Sequence, residues 1–121
     1  MFRHNSDANI NGTYFLDEIE LPPAYLLARF GTPEPGDGYR CTGSWSFVSD
    51  LGEVFTVYEY KSTKEWLGEQ ERALSASEFW TSWTPAVLSI GGHEGSNVEV
   101  FRQWLMSDDQ VLDKRNNRCV P

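Results

Sequence analysis

"YRCTGSWSFVSDLGEVFTVYEYK", residues 39–61, decides how the chain is read. In its first arm Tyr39, Cys41, Gly43, Trp45 and Phe47 alternate with Arg40, Thr42, Ser44 and Ser46. Successive side chains of a strand point to opposite faces, so this period of two describes one apolar face and one hydroxyl-rich face. Asp50-Leu51-Gly52 supplies a turn in which Gly52 takes a positive φ. The second arm, Val54–Lys61, sets Phe55 and Val57 on one face and Thr56, Tyr58 and Tyr60 on the other. The stretch predicts a β-hairpin.

Outward from the hairpin the pattern continues in both directions. "GTYFLDEIEL" is rich in aromatic and β-branched residues and predicts a strand over Thr13–Glu20. Pro22 and Pro23 then suit the opening of a helix and Gly31 its end, which predicts a helix over Pro23–Phe30 with Leu26, Leu27 and Phe30 on one face. Beyond the hairpin, "STKEWLGEQERALS" reads as a connection with a helical turn. Ser75 and Glu78 have the spacing of a capping box, and Pro85 stops the helix they open. "AVLSI" reads as a strand. Ser96 and Glu99 repeat the capping-box spacing before a helix reaching about Met106, with Val98, Phe101, Leu105 and Trp104 on its buried side.

These elements do not alternate as a doubly wound fold requires. The fold class expected is α+β, a small antiparallel sheet around the central hairpin with two or three short helices packed on one face. At 121 residues, with five Trp, five Tyr and seven Phe, the chain reads as one domain with a real core. Residues 1–12 and 107–121 have no strong period and read as loosely ordered.

Charge narrows the functional classes. Residues 107–121 hold three acidic and three basic side chains, so residues 1–106 carry the whole net charge of −8. Such a surface repels nucleic-acid phosphates and gains nothing from counterion release. The same reasoning disfavours an anionic membrane, whereas a basic protein surface would be attracted. The sequence shows no apolar leader and no run of about 18 apolar residues, so a cytoplasmic location is expected. Cys41 and Cys119 form no CxxC pair and are expected as reduced thiols, Cys41 in the core.

The candidate sites follow from chemistry. "SIGGHEGSNVEVFRQWL", residues 89–105, raises the question of a phosphate cradle at Gly91 and Gly92. No Lys or Arg lies between Ile90 and Phe101, and Glu94 and Glu99 would face any anion, so a structural turn is expected. What remains is a small polar ligand held by the Gly91 and Gly92 amides. His93 and His4 read as loop histidines. Glu18 and Glu20 share a strand face but make a weak cation site, and no metal or cofactor is expected. No nucleophile motif is present, so a non-enzymatic protein is expected.

"YEYKSTKEW", residues 58–66, combines aromatics, hydroxyls and two of the few lysines. With Arg40 and Thr56 extending the same polar face, the partner- or ligand-binding residues expected are Arg40, Thr56, Tyr58, Tyr60, Lys61, Thr63, Gly91 and Gly92. The leading functional expectation is a small acidic protein that docks a basic macromolecular partner and inhibits or regulates it, in the manner of inhibitor, immunity or anti-defence proteins. The alternative is a domain that binds, sequesters or hydrolyses a nucleotide-like or polar metabolite in a pocket uniting Tyr58, Tyr60, Lys61 and Thr63 with Gly91 and Gly92. An edge strand would also permit homodimerisation.

Overall fold

The computed structural model describes residues 2–38, 40–68 and 73–107. Five strands run β1 (Phe2–His4), β2 (Tyr14–Leu21), β3 (Ser44–Ser49), β4 (Val54–Tyr58) and β5 (Ala86–Gly92). Four short helices join them, α1 (Pro23–Phe30), α2 (Lys64–Leu67), α3 (Ala76–Trp80) and α4 (Val98–Leu105). The strands form one sheet in the order β1-β3-β4-β5-β2, with every pairing antiparallel. This is the α+β architecture expected, with the hairpin at its centre.

The hairpin alternates as its sequence requires. Trp45 and Phe47 lie opposite Val57 and Phe55, and all four are fully buried. Gly52 holds φ at 83°, and the Ser49 hydroxyl accepts from the amides of Leu51 and Glu53 across the turn. Both arms are shorter than the alternation predicts. The Cys41 amide donates to Asp37 Oδ1, and the Thr42 amide and hydroxyl both donate to the carboxylate of Glu59. Those groups are therefore lost to the ladder, and β3 begins only at Ser44. At the other end Ser62 N–H donates to Glu59 Oε1 and Lys61 turns to φ 58°, ending β4 at Tyr58. Tyr39 lies outside the described residues.

The apolar side of the sheet carries the core. Phe101 stacks on Phe55 at 4.6 Å and 4°, and Trp45 meets Trp80 edge-to-face at 5.0 Å. Leu88 and Ile90 of β5 and Ile19 and Leu21 of β2 complete it. Helix α1 has the predicted bounds, but its most deeply buried residues are Tyr25 and Leu26 rather than Leu27 and Phe30. The reason is polar. Tyr25 OH and Arg29 Nη1 both donate to the carbonyl of Leu105, at 2.6 and 2.7 Å, and so satisfy the end of α4. The Arg29 guanidinium also lies over the Trp104 ring at 4.4 Å.

Two further expectations need correction. Residues 2–4 are not loose, because Phe2 packs on Phe55, Phe101 and Trp104 and this draws the segment into β1 beside β3. The α4 cap is Asn97, whose Oδ1 accepts from Val100 N–H, so Ser96 stands one residue outside and Glu99 pairs with Arg102. At α3 the Ser75–Glu78 capping box forms as expected. Of the tail expected to be loose, 108–121 lie outside the described residues. Among the described residues no helix is long and apolar enough to cross a membrane.

Candidate functional site

On the opposite face of the sheet the strand registers bring together side chains distant in sequence, and no helical residue lines the hollows there. Thr56 faces Gly91 and Ser46, and Tyr58 faces Ser89 and Ser44. Phe15, Glu18 and Glu20 of β2 face Gly91, Ser89 and Val87 of β5. A bulge at Leu16 makes that alignment. Leu16 turns to the core and Asp17 to Arg102 of α4, so Phe15 returns to the outer face.

Two hollows share Tyr58. The first, about 250 Å3, lies between Thr56, Tyr58 and Gly91 on the sheet, Ile10 and Thr13 of the β1–β2 connection, and Tyr14 at the start of β2. Cys41 and Ser44 close one end. The second, about 560 Å3, is walled by Phe15, Tyr58 and Tyr60 with Glu18 and Ser89. The rings of Tyr58 and Tyr60 stand edge-to-face, with centroids 6.4 Å apart and an interplanar angle of 84°. Around the hollows the surface is apolar: Phe15 is 53% exposed, Tyr14 51%, Tyr60 50% and Val87 50%. The charges that the strands add to this face are Glu18 and Glu20 on β2, beside the second hollow, and Arg3 on β1 at the far edge.

The environment tunes two groups here. Burial pushes the Tyr58 phenol above its ordinary value, with Cys41 adding to the rise and the Ser89 hydroxyl opposing it. Burial likewise raises the Cys41 thiol, helped by the nearby carboxylates of Glu59 and Asp37. A thiol shifted that way stays protonated and is a poor nucleophile. Cys41 is half-buried, lies outside any strand and lines the outer hollow, which corrects its expected place in the core.

The predicted binding residues divide. Thr56, Tyr58 and Gly91 line the first hollow, and Tyr58 and Tyr60 the second. Lys61 lies alongside, its Nζ 5.0 Å from the Tyr60 ring centroid and 4.5 Å from that of Trp66. Arg40 is exposed and paired with Asp37 at 3.2 Å. Thr63 is fully buried at the start of α2, and among the described residues its hydroxyl has no hydrogen-bond partner. Gly92 belongs to the core face, where a Cβ would meet Leu16 and Phe55. Among the described residues the two hollows therefore take up only part of the set drawn from the sequence.

Gly91 and Gly92 form no phosphate cradle. Both sit inside β5, flanked by β2 on one side and β4 on the other. Gly91 is required by close packing, since a Cβ there would lie 2.5 Å from Thr56 Oγ1 and 3.4 Å from Tyr58 Cε1. Among the described residues no group of three or more His, Cys, Asp or Glu could hold a metal ion.

Sequence reasoning missed Tyr14, Phe15, Ser89 and Cys41. The alternation of "AVLSI" does place Ser89 opposite the core. Phe15 needed the β2–β5 register and its bulge, which no local period reveals. The outer edge of β2 is partly closed from within, because Glu18 N–H donates to Asp17 Oδ1 and Glu18 O accepts from Arg102, itself 3.3 Å from Asp17 Oδ2. Strand addition would have to displace that pair, so the face rather than the edge is the accessible surface. No family model matches the sequence, and none of the curated proteins is significantly similar to it.

Proposed function

We propose that the protein is a non-enzymatic docking module whose outer sheet face, opposite the aromatic core, binds a basic protein surface and thereby blocks or regulates that partner. One observation carries the reading. Phe15, Tyr60 and Val87, each about half exposed, lie on the outer side of the sheet with Glu18 and Glu20. Aromatic anchors bordered by like charges are the composition of a recognition surface, the aromatics supplying contact energy and the carboxylates choosing the partner and speeding encounter. The chain's net charge of −8 acts in the same direction at longer range. The shallow, divided hollows favour this reading over a metabolite pocket that encloses its ligand.

The test is affinity capture from the cells that make the protein, with wild type, a Glu18→Lys/Glu20→Lys double variant and a Gln103→Lys control as baits. The proposal expects a basic partner enriched on wild type and on the control, released as salt rises, and lost from the double variant. Equal recovery on all three baits would refute it.

A further inference from the structure

The second hollow carries a more specific assignment, which rests on the docking reading above. Its walls are three aromatic rings from two strands and the turn after β4, namely Phe15, Tyr58 and Tyr60. Aromatic faces carry negative potential, and two rings standing at 84° with centroids 6.4 Å apart offer a corner rather than a flat surface. Glu18 adds a carboxylate at the same hollow. Its backbone is held by Asp17 and Arg102, yet among the described residues its carboxylate has neither a hydrogen bond nor an ion pair. Ser89 adds a hydroxyl. Rings facing a carboxylate make a receptor for an organic cation, which loses its water to a ring face and keeps an ion pair at the rim. The free protein already performs half of this recognition, because the Lys61 ammonium rests over Tyr60 and Trp66.

We infer that the hollow formed by Phe15, Tyr58, Tyr60 and Glu18 is a cation cage that receives the ammonium or guanidinium end of a Lys or Arg side chain from the partner. A protein side chain is the source, rather than a free metabolite, because the hollow opens within an exposed aromatic patch suited to a macromolecular surface. Lys61 then competes for Tyr60 and repels the incoming cation, so its removal tightens binding.

The experiment is an NMR titration of the full chain with N-acetyl-lysine methylamide and N-acetyl-arginine methylamide. The uncharged N-acetyl-norleucine methylamide and tetramethylammonium chloride serve as comparisons. The expected result is saturable shifts of the Tyr58 and Tyr60 ring signals with the two cationic residues, at millimolar affinity, and none with norleucine. Tyr60→Leu and Glu18→Gln each weaken binding about tenfold, Tyr60→Phe retains it, and Lys61→Gln strengthens it a few fold. Far-UV circular dichroism identifies a variant that fails to fold, and Tyr60→Phe and Lys61→Gln keep the test decisive in that case. Equal shifts with norleucine, or unchanged affinity in Tyr60→Leu, overturn the cage. Saturation by tetramethylammonium at far lower concentration than by the lysine probe overturns the protein side chain as its occupant. A silent titration beside a partner still lost from the Glu18→Lys/Glu20→Lys bait removes the cage and leaves the docking face. Cation binding beside a partner captured equally by all baits does the reverse.

Discussion

The same strands build two surfaces of opposite character. On the helix side Trp45, Phe47, Phe55 and Val57 are sealed beneath α1, α3 and α4, and Phe101 lies flat on Phe55. One residue along in each strand, Ser44, Ser46, Thr56 and Tyr58 face away, and the aromatics near them remain half exposed. The first set has every ring pressed against others at 4.6–6.0 Å. The second has rings around hollows. Aromatic content alone therefore does not separate core from recognition surface in this chain. What separates them is whether a helix lies across the face.

That contrast makes a paired prediction, and it is the largest effect expected. Phe101→Ala removes a fully buried ring from the stack and should cost about 3–5 kcal/mol of stability in chemical denaturation. Phe15→Ala on the open face should cost no more than about 0.5–1 kcal/mol, while weakening partner capture. Similar losses for the two would break the distinction.

Next in size is Glu59→Gln, at the foot of the hairpin where the two surfaces meet. Glu59 is fully buried and accepts from Thr42 N–H, Thr42 Oγ1 and Ser62 N–H, while Thr42 Oγ1 in turn accepts from Trp80 Nε1. An amide cannot reproduce those acceptors, and about 1–3 kcal/mol should be lost in thermal or chemical unfolding.

Smaller again, Ser75→Ala removes the α3 capping box and should cost about 1 kcal/mol, with no change in partner capture. The Ser75 bonds hold the Glu78 carboxyl below its usual range, so that stabilisation is present above the ordinary carboxylate pKa and fades as the pH falls through the lowered one. A Glu78→Gln variant should accordingly lose less stability than wild type on acidification.

The smallest effect belongs to Tyr58. Burial raises its phenol above the ordinary value of about 10, so its neutral form is favoured in the fold. Its contribution is complete below that ordinary value and is lost as the pH rises through the raised one. Absorbance titration at about 295 nm should show a phenolate step above the ordinary range that is absent from Tyr58→Phe. A step unchanged in position and amplitude would place Tyr58 in ordinary solvent.

Local chemistry explains how much the sequence discloses. The hairpin, the bounds of α1 and the Ser75 cap were legible because alternation, Pro23 with Gly31, and Ser75 with Glu78 each act within a few residues. β1 was not, because Phe2 is fixed by Phe55, Phe101 and Trp104, all far along the chain. The ends of the hairpin arms were misread for a similar reason, since Glu59 captures donors on both sides of it. Of the site, Thr56, Tyr58 and Tyr60 were legible from the alternation of one strand. Phe15 and Glu18 joined them only through the register with β5 and the bulge at Leu16, which depend on the assembled sheet.

The most direct test of the account is a photo-crosslinking amino acid placed at Val87 on the open face or at Gln103 on the helix side, both exposed. The protein would be expressed in its native cells and irradiated. A defined adduct with a basic protein is expected from position 87, abolished by Glu18→Lys/Glu20→Lys, and none from position 103. An adduct from position 103 alone, or one from position 87 indifferent to the charge reversal, would contradict it.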